Sequence, residues 1–174
     1  NKDVIVDGST VVKGDKIILA GGSKVSKVNI PGIDNPNILS SDDLLALDVL
    51  PETLAVVGGG VIGIEMAQAF EALGTKVTVI EMMDRIIPGI DTEASDLLTK
   101  LLKKKGVKIM TSTKINEFAD KNGKVEVKTE GGESVVADKV LISVGRLPDV
   151  EGMGEVEFEM ERGKIKVDKY METS

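Results

Sequence analysis

Residues 53–81 read TLAVVGGGVIGIEMAQAFEALGTKVTVIE, and three textures follow one another within that stretch. Leu54-Ala55-Val56-Val57 is a short, continuously apolar run, the kind of strand expected when both faces of a sheet are covered. Three glycines break it. After them Ile62, Met66, Ala69, Phe70 and Leu73 recur at helical spacing, and Gly74 stands where a helix C-terminal stop belongs. Lys76 to Glu81 is rich in β-branched residues and reads as a second strand. Strand, glycine turn, helix and strand within about 30 residues make a βαβ unit.

The pattern continues downstream. Asp91 is placed to cap a second helix with an apolar stripe of Ala94, Leu97, Leu98, Leu101 and Leu102. Lys103, Lys104 and Lys105 fall in its last turn, where positive charge meets the negative end of the helix dipole, and Gly106 ends it. Val107 to Met110 is a third strand, completing βαβαβ, one half of a doubly wound sheet. Lys114 to Phe118, Lys124 to Thr129 and Glu133 to Val136 are extended stretches separated by Asn122-Gly123 and Gly131-Gly132, which predicts an antiparallel meander. Lys139 to Val144 returns as a buried strand and breaks at Gly145. Upstream, Val4 to Val12 reads as a hairpin and Ile17-Ile18-Leu19 as a buried strand. Ala20 to Asn37 reads as a connection, and Ser41-Asp42-Asp43 caps a short helix that Pro51 helps to end. The expected fold class is α/β: a Rossmann-like parallel sheet with an antiparallel three-stranded meander.

Composition narrows the function. In 174 residues, 41% hydrophobic and 29% charged, the balance is that of an ordinary globular protein. The formal charge of −7 argues against nucleic acid as a partner, because phosphate-backbone binding draws on clustered Lys and Arg. No apolar stretch approaches the ~20 residues that span a bilayer, and no signal-like segment opens the chain. A cytoplasmic protein without membrane contact is expected. Cys and His are both absent, which excludes thiol nucleophiles, imidazole bases and Cys/His zinc sites within this polypeptide. A chain that opens at Asn1 and stops at Ser174 without a helix stop is expected to be a fragment of something longer.

The glycine turn carries the functional reading. Gly58-x-Gly60-x-x-Gly63 fits the dinucleotide pattern: the first glycine permits the tight turn, the second a close backbone approach to a pyrophosphate, the third close helix packing. The helix N-terminal amides then favour the diphosphate charge. An isolated match is equally well a plain β-to-α turn without ligand. Its place inside a βαβ unit favours the nucleotide. Glu81, ending the second strand, is positioned to accept hydrogen bonds from ribose hydroxyls and to repel a 2′-phosphate. NAD is therefore expected over NADP. A solvated strand-end Glu is the bland alternative. Glu65, read as first-turn, has a simple explanation in pairing with the positive helix end. Asp84 and Arg85 read as a surface ion pair, and Asp42-Asp43 as a helix cap rather than an acid-base pair.

With those residues in view, VVGGGVIGIEMAQAFEALGTKVTVIEMMDRIIPGID followed by DKVLISVGRLPDVEG resembles the NAD-binding region of the flavoprotein pyridine nucleotide-disulfide oxidoreductases, and among them the dihydrolipoamide dehydrogenases. IILAGGSKVSKVNIPGI resembles the stretch where the family's FAD domain hands over to its NAD domain, with Ala20-Gly21-Gly22 where the family has Ala-Thr-Gly. GKIKVDKYMETS is similar to the segment before the family's second FAD motif. The resemblance implies an FAD-domain segment over 1–31, an NAD-binding domain over 32–148 and an FAD-domain return segment over 149–174. It implies cofactor contacts along Gly58, Gly59, Gly60, Val61, Ile62, Gly63, Ile64 and Glu65, with Glu65 toward the nicotinamide, Glu81 on the adenosine ribose, Ile115 near the adenine and Gly145 on the nicotinamide side. FAD would lie near Ala20, Gly21 and Gly22 in a full-length parent, and the fragment is not expected to retain it. The implied parent is a homodimeric dihydrolipoyl dehydrogenase working with a 2-oxo acid dehydrogenase or glycine cleavage complex, its redox cysteines and base lying elsewhere. No catalytic residue and no metal ligand are expected here. Alternatives are the NAD module of an NADH oxidase or peroxidase flavoprotein, or a standalone nucleotide-binding module.

Overall fold

Alternation along the central strands decides how the layers stack. Of Thr53–Val57, Leu54 and Val56 enter one core while Ala55 and Val57 enter another, and Leu141 parts from Val140 and Ile142 in the same way. Successive side chains point to opposite faces of a strand, so a strand apolar throughout must be covered twice.

The computed structural model describes residues 3–26, 28–151, 153 and 157–174. Lys27 of the predicted connection and Gly152, Gly154, Glu155 and Val156 of the predicted return segment lie outside the described residues, as do Asn1 and Lys2. The elements run β1 (Asp3–Val6), β2 (Thr10–Lys13), β3 (Ser23–Val25), β4 (Ile38–Leu39), α1 (Ser41–Leu45), β5 (Thr53–Val57), α2 (Val61–Ala72), β6 (Lys76–Ile80) and α3 (Thr92–Lys104). They continue with β7 (Lys108–Met110), β8 (Ile115–Lys121), β9 (Lys124–Thr129), β10 (Ser134–Ala137), β11 (Lys139–Ile142), β12 (Arg146–Pro148), β13 (Met160–Glu161) and β14 (Lys164–Ile165). The chain divides into two compact units, Val25–Arg146 and the pair of segments Asn1–Lys24 with Leu147–Ser174.

In Val25–Arg146 a five-stranded sheet has the order β4-β11-β5-β6-β7, with every pairing parallel. The helices cover one face: Ile64, Ala67 and Phe70 of α2, Leu102 of α3 and Leu44 of α1 share a core with Leu54, Val56, Val77, Val79 and Leu141. The meander β10-β9-β8 covers the other, bringing Phe118, Val125, Val127 and Ala137 against Ala55, Val57, Val140 and Ile142. The α/β class and the three-stranded meander are both present. The β8–β9 turn carries Asn122 and Gly123 at φ 56 and 80, the left-handed pair that a tight two-residue hairpin demands.

Several local expectations change. Ile17-Ile18-Leu19 forms no strand, and Ile18 is 90% exposed, because no strand among the described residues pairs with it. The connection contains β3. The α1 cap is Ser40, whose hydroxyl receives the Asp43 N–H while the Asp43 carboxylate takes the Ser40 N–H, a reciprocal capping box; α1 ends at Leu45, well before Pro51. Asp91 stands at the N-cap of α3 but its side chain makes no capping bond. The α3 stripe is rotated from the leucine pattern: Ser95 and Leu102 are buried while Ala94, Leu97 and Leu101 are exposed. Ser95 is drawn inward because its hydroxyl donates to Ile86 O at 2.7 Å. On α2 the packed face is Gly63, Ile64, Ala67 and Phe70, with Ala69 and Leu73 exposed. That helix is apolar nearly all round, and close sheet contact favours its smallest residues. Both helices end in a left-handed glycine, Gly74 and Gly106 at φ 99 and 101, with the paired 6→1 and 5→2 backbone bonds that absorb the last carbonyls.

Candidate functional site

The chain leaves β5 toward β6 and β7 on one side and comes back to β5 through β11 on the other. Loops after β5 and β11 therefore diverge at the C-terminal ends of neighbouring parallel strands, the place where open α/β sheets hold ligands. A cleft of about 790 Å³ lies there, lined by Gly58, Gly60, Val61, Ile62, Glu81, Ile115 and Gly145 among others. Its size lies within the range of small-molecule and cofactor sites.

Each glycine of the turn has a distinct physical reason. Gly58 sits at φ 102, and a Cβ there would stand 2.6 Å from Ser143 O; both the conformation and the close approach of β11 require it. A Cβ on Gly63 would lie 2.1 Å from Gly58 O and 3.2 Å from Val56 Cγ1, so this position lets α2 sit down on β5. Gly60, the N-cap of α2, has nothing within 4 Å of where its Cβ would be and has an ordinary φ of −71. The fold does not need glycine at Gly60. The space beside its backbone is left open on the cleft wall.

Glu81 follows β6 and is 7% exposed. Its Oε2 accepts the Gly59 N–H at 2.6 Å and its Oε1 the Met83 N–H at 2.7 Å. A carboxylate offers about four acceptor positions, so two amide bonds hold the group in place and leave acceptor capacity on a residue that lines the cleft. The solvated alternative for Glu81 is ruled out by its burial.

The remaining residues separate into those at the cleft and those behind it. Val61 is 57% exposed and Ile62 half-buried, both on the cleft wall. Ile115 opens β8, and the register slips between Ile115 and Glu117, a bulge that leaves Asn116 unpaired on the same wall. Gly145, at φ 124, accepts the Ser26 N–H at 3.0 Å. Ile64 turns into the helix-side core, and Gly59 and Gly63 pack behind the loop. Glu65 is exposed and is the fifth residue of α2, past the first turn in which sequence placed it; pairing with the helix end does not account for it. Asp84 and Arg85 form no ion pair, and Arg85 Nε is buried without a partner. In the other unit, Gly22 is at φ 80 and its O accepts the Asp149 N–H at 3.0 Å, while a Cβ on Gly21 would meet the Met153 methyl at 2.4 Å.

Ser143 and Ile87 escaped the sequence reading. Ser143 lines the cleft at the end of β11, its hydroxyl 3.0 Å from Val57 O and 2.9 Å from Gly58 O. Ile87 holds φ 43, unusual for a β-branched residue, and its N–H donates to Gly59 O at 2.8 Å. Neither position belongs to a periodic pattern. No group of three or more acidic residues able to hold a metal occurs among the described residues, nor any helix long and apolar enough to cross a membrane.

A covered parallel sheet with a glycine loop and an acidic strand end at its switch point defines the Rossmann-like class. Within that class the chain belongs to the pyridine nucleotide-disulphide oxidoreductase family, whose model matches residues 1–174. It is 39% identical over 175 residues to a dihydrolipoamide dehydrogenase of Chaetomium thermophilum, covering 95% of this chain and 35% of that one. A dihydrolipoyl dehydrogenase of Acholeplasma laidlawii is 34% identical, covering 99% and 52%. Among solved structures, the HOCl-induced flavoprotein disulfide reductase of Escherichia coli superposes with a TM-score of 0.85 at 29% identity, over 99% of this chain and 40% of that one. The chain thus spans between about a third and a half of the length of these relatives.

Proposed function

We propose that Val25–Arg146 is the NAD(H)-binding module of a dihydrolipoyl dehydrogenase, and that the flanking segments belong to the FAD domain of the longer enzyme. The observation that carries this reading is the buried Glu81 carboxylate, held by two backbone amides on the wall of the same cleft that the glycine loop opens. A fixed anion with spare acceptor capacity suits a ribose diol. It repels a 2′-phosphate at short range, more strongly where water is partly excluded.

The donors present fit the cofactor. The unencumbered Gly60 backbone and the N-terminus of α2 suit a pyrophosphate. Ile115 and the Asn116 bulge form the wall beside Glu81 and suit the adenine. Gly145 and Val144 form the far wall and suit the nicotinamide end; Glu65, exposed on α2, does not line the cleft, and its assignment to the nicotinamide rests on the family resemblance. Bound there, nicotinamide would supply the hydride-accepting ring in the full enzyme during dihydrolipoamide oxidation. The chain's own part is to bind, orient and discriminate: with neither Cys nor His, it carries no thiol or imidazole for the disulfide chemistry. FAD, a homodimer, a cytoplasmic location and a 2-oxo acid dehydrogenase or glycine cleavage complex belong to the longer protein in this proposal. The test is calorimetric titration of the chain with NADH and NADPH. NADH is expected to bind at least tenfold more tightly; equal affinity, or tighter NADPH, would overturn the assignment of Glu81.

A further inference from the structure

The Gly58–Gly59 peptide is gripped at both ends. Its carbonyl oxygen lies 2.9 Å from the Ser143 hydroxyl, and its N–H donates to Glu81 Oε2 at 2.6 Å. These two side chains stand at the ends of β11 and β6, the strands that flank β5 in the sheet. A peptide unit is planar, so fixing the oxygen on one side and the hydrogen on the other fixes its rotation about the chain. The next unit is held as well, since Gly59 O accepts the Ile87 N–H. Glycines have few intrinsic preferences, and a run of three would otherwise sample many peptide orientations.

We infer that Ser143 is a positioning residue: its hydroxyl locks the Gly58–Gly59 peptide so that the loop stands ready for a diphosphate, independently of the ribose reading by Glu81. The hydroxyl has a single proton to share between Val57 O and Gly58 O. Val57 O already receives the Ser143 N–H at 2.8 Å, so Gly58 O has the greater need of it. Losing it leaves the peptide held only at its N–H by Glu81, which loosens its orientation and makes binding bear part of the cost of ordering the loop.

This inference rests on the nucleotide reading of the cleft, and its test separates the two. Wild type and Ser143→Ala chains are titrated with NADH and NADPH, and the Gly59 amide is followed by ¹⁵N-edited NMR without nucleotide. Removing one neutral hydrogen bond should weaken both nucleotides by the same factor, roughly 3- to 10-fold, leaving their ratio unchanged. The Gly59 resonance should shift and its hydrogen exchange quicken. Affinities within twofold of wild type, an unmoved Gly59 amide, or a changed NADH/NADPH ratio would each overturn the proposal. If wild type binds neither nucleotide, the functional reading fails while the Gly59 amide still reports on the clamp. Should the Ala variant not fold, Ser143→Cys, with its weak S–H donor, is expected to move the same resonance in the same direction.

Discussion

Gly60 and Gly63 stand three positions apart and answer to different masters. Gly63 serves the fold: an alanine methyl there would press on Gly58 O and Val56, and overpacking of this kind costs about 1–3 kcal/mol. Gly63→Ala is expected to lower the urea midpoint and to weaken NADH together. Gly60→Ala meets no atom within 4 Å and fits its backbone φ. Its midpoint should stay within about 0.5 kcal/mol of wild type, the range of surface substitutions, while NADH affinity drops at least tenfold. Parallel losses of stability in both variants would deny Gly60 a ligand-facing role. Glu81 has two duties at once. Glu81→Ala leaves the Gly59 and Met83 amides without their acceptor, each at a cost of about 1–3 kcal/mol if they stay buried. It should therefore lose stability as well as NADH/NADPH discrimination, whereas Glu81→Gln, which keeps one of the two acceptors and turns an NH2 toward the other amide, should lose the discrimination with a smaller loss of stability. Chemical denaturation beside the two titrations distinguishes these outcomes.

Between elements, one polar clasp ties the start of β5 to the meander. The Asp138 carboxylate accepts the Thr53 N–H at 2.9 Å and the Thr53 hydroxyl at 2.6 Å, and pairs with Lys124 at 2.8 Å. The Lys124 ammonium foremost, and then the Thr53 donors, hold the Asp138 carboxyl below the ordinary 3.8. A depressed folded pKa means that its contribution is fully present above the unfolded value and is lost as pH falls through the folded one. Asp138→Asn should lower the unfolding midpoint at pH 7, and the gap from wild type should close below about pH 4; a gap constant down to pH 3 would show that packing, not ionisation, sets it. Elements of this kind also show what the sequence could and could not tell. The βαβαβ order was legible because strand texture, glycine turns and terminal lysines agree locally. The buried faces of α2 and α3 were not, because only Glu65, Gln68 and Glu71 interrupt an otherwise apolar α2 and because Ser95 is drawn in by a carbonyl on a preceding loop. Gly58, Gly60 and Glu81 were legible as a spaced motif. Ser143 was not, since one serine at a strand end acquires its role only when β11 lies beside β5.

Across the whole chain, apolar burial is strongly uneven. Among the described residues, every buried hydrophobic side chain, in both cores, falls between Val25 and Arg146. In the other unit Val4, Ile5, Val6, Val11, Val12, Ile17, Ile18 and Leu19 are all at least 41% exposed. Hydrophobic burial is the dominant favourable contribution to folding, so cooperative stability must reside in Val25–Arg146. A chain cut to residues 25–146 is expected to unfold in a single transition, with a midpoint within a few degrees of the full chain, and to keep NADH affinity within about threefold, half a decade on the scale where tenfold is ~1.4 kcal/mol. The full chain should bind an apolar dye such as ANS, through its exposed Val and Ile side chains, more strongly than the cut one. Loss of the cooperative transition on truncation would place part of the stabilising core in the flanking segments, against the burial observed, and equal dye binding would mean that those side chains are covered in solution.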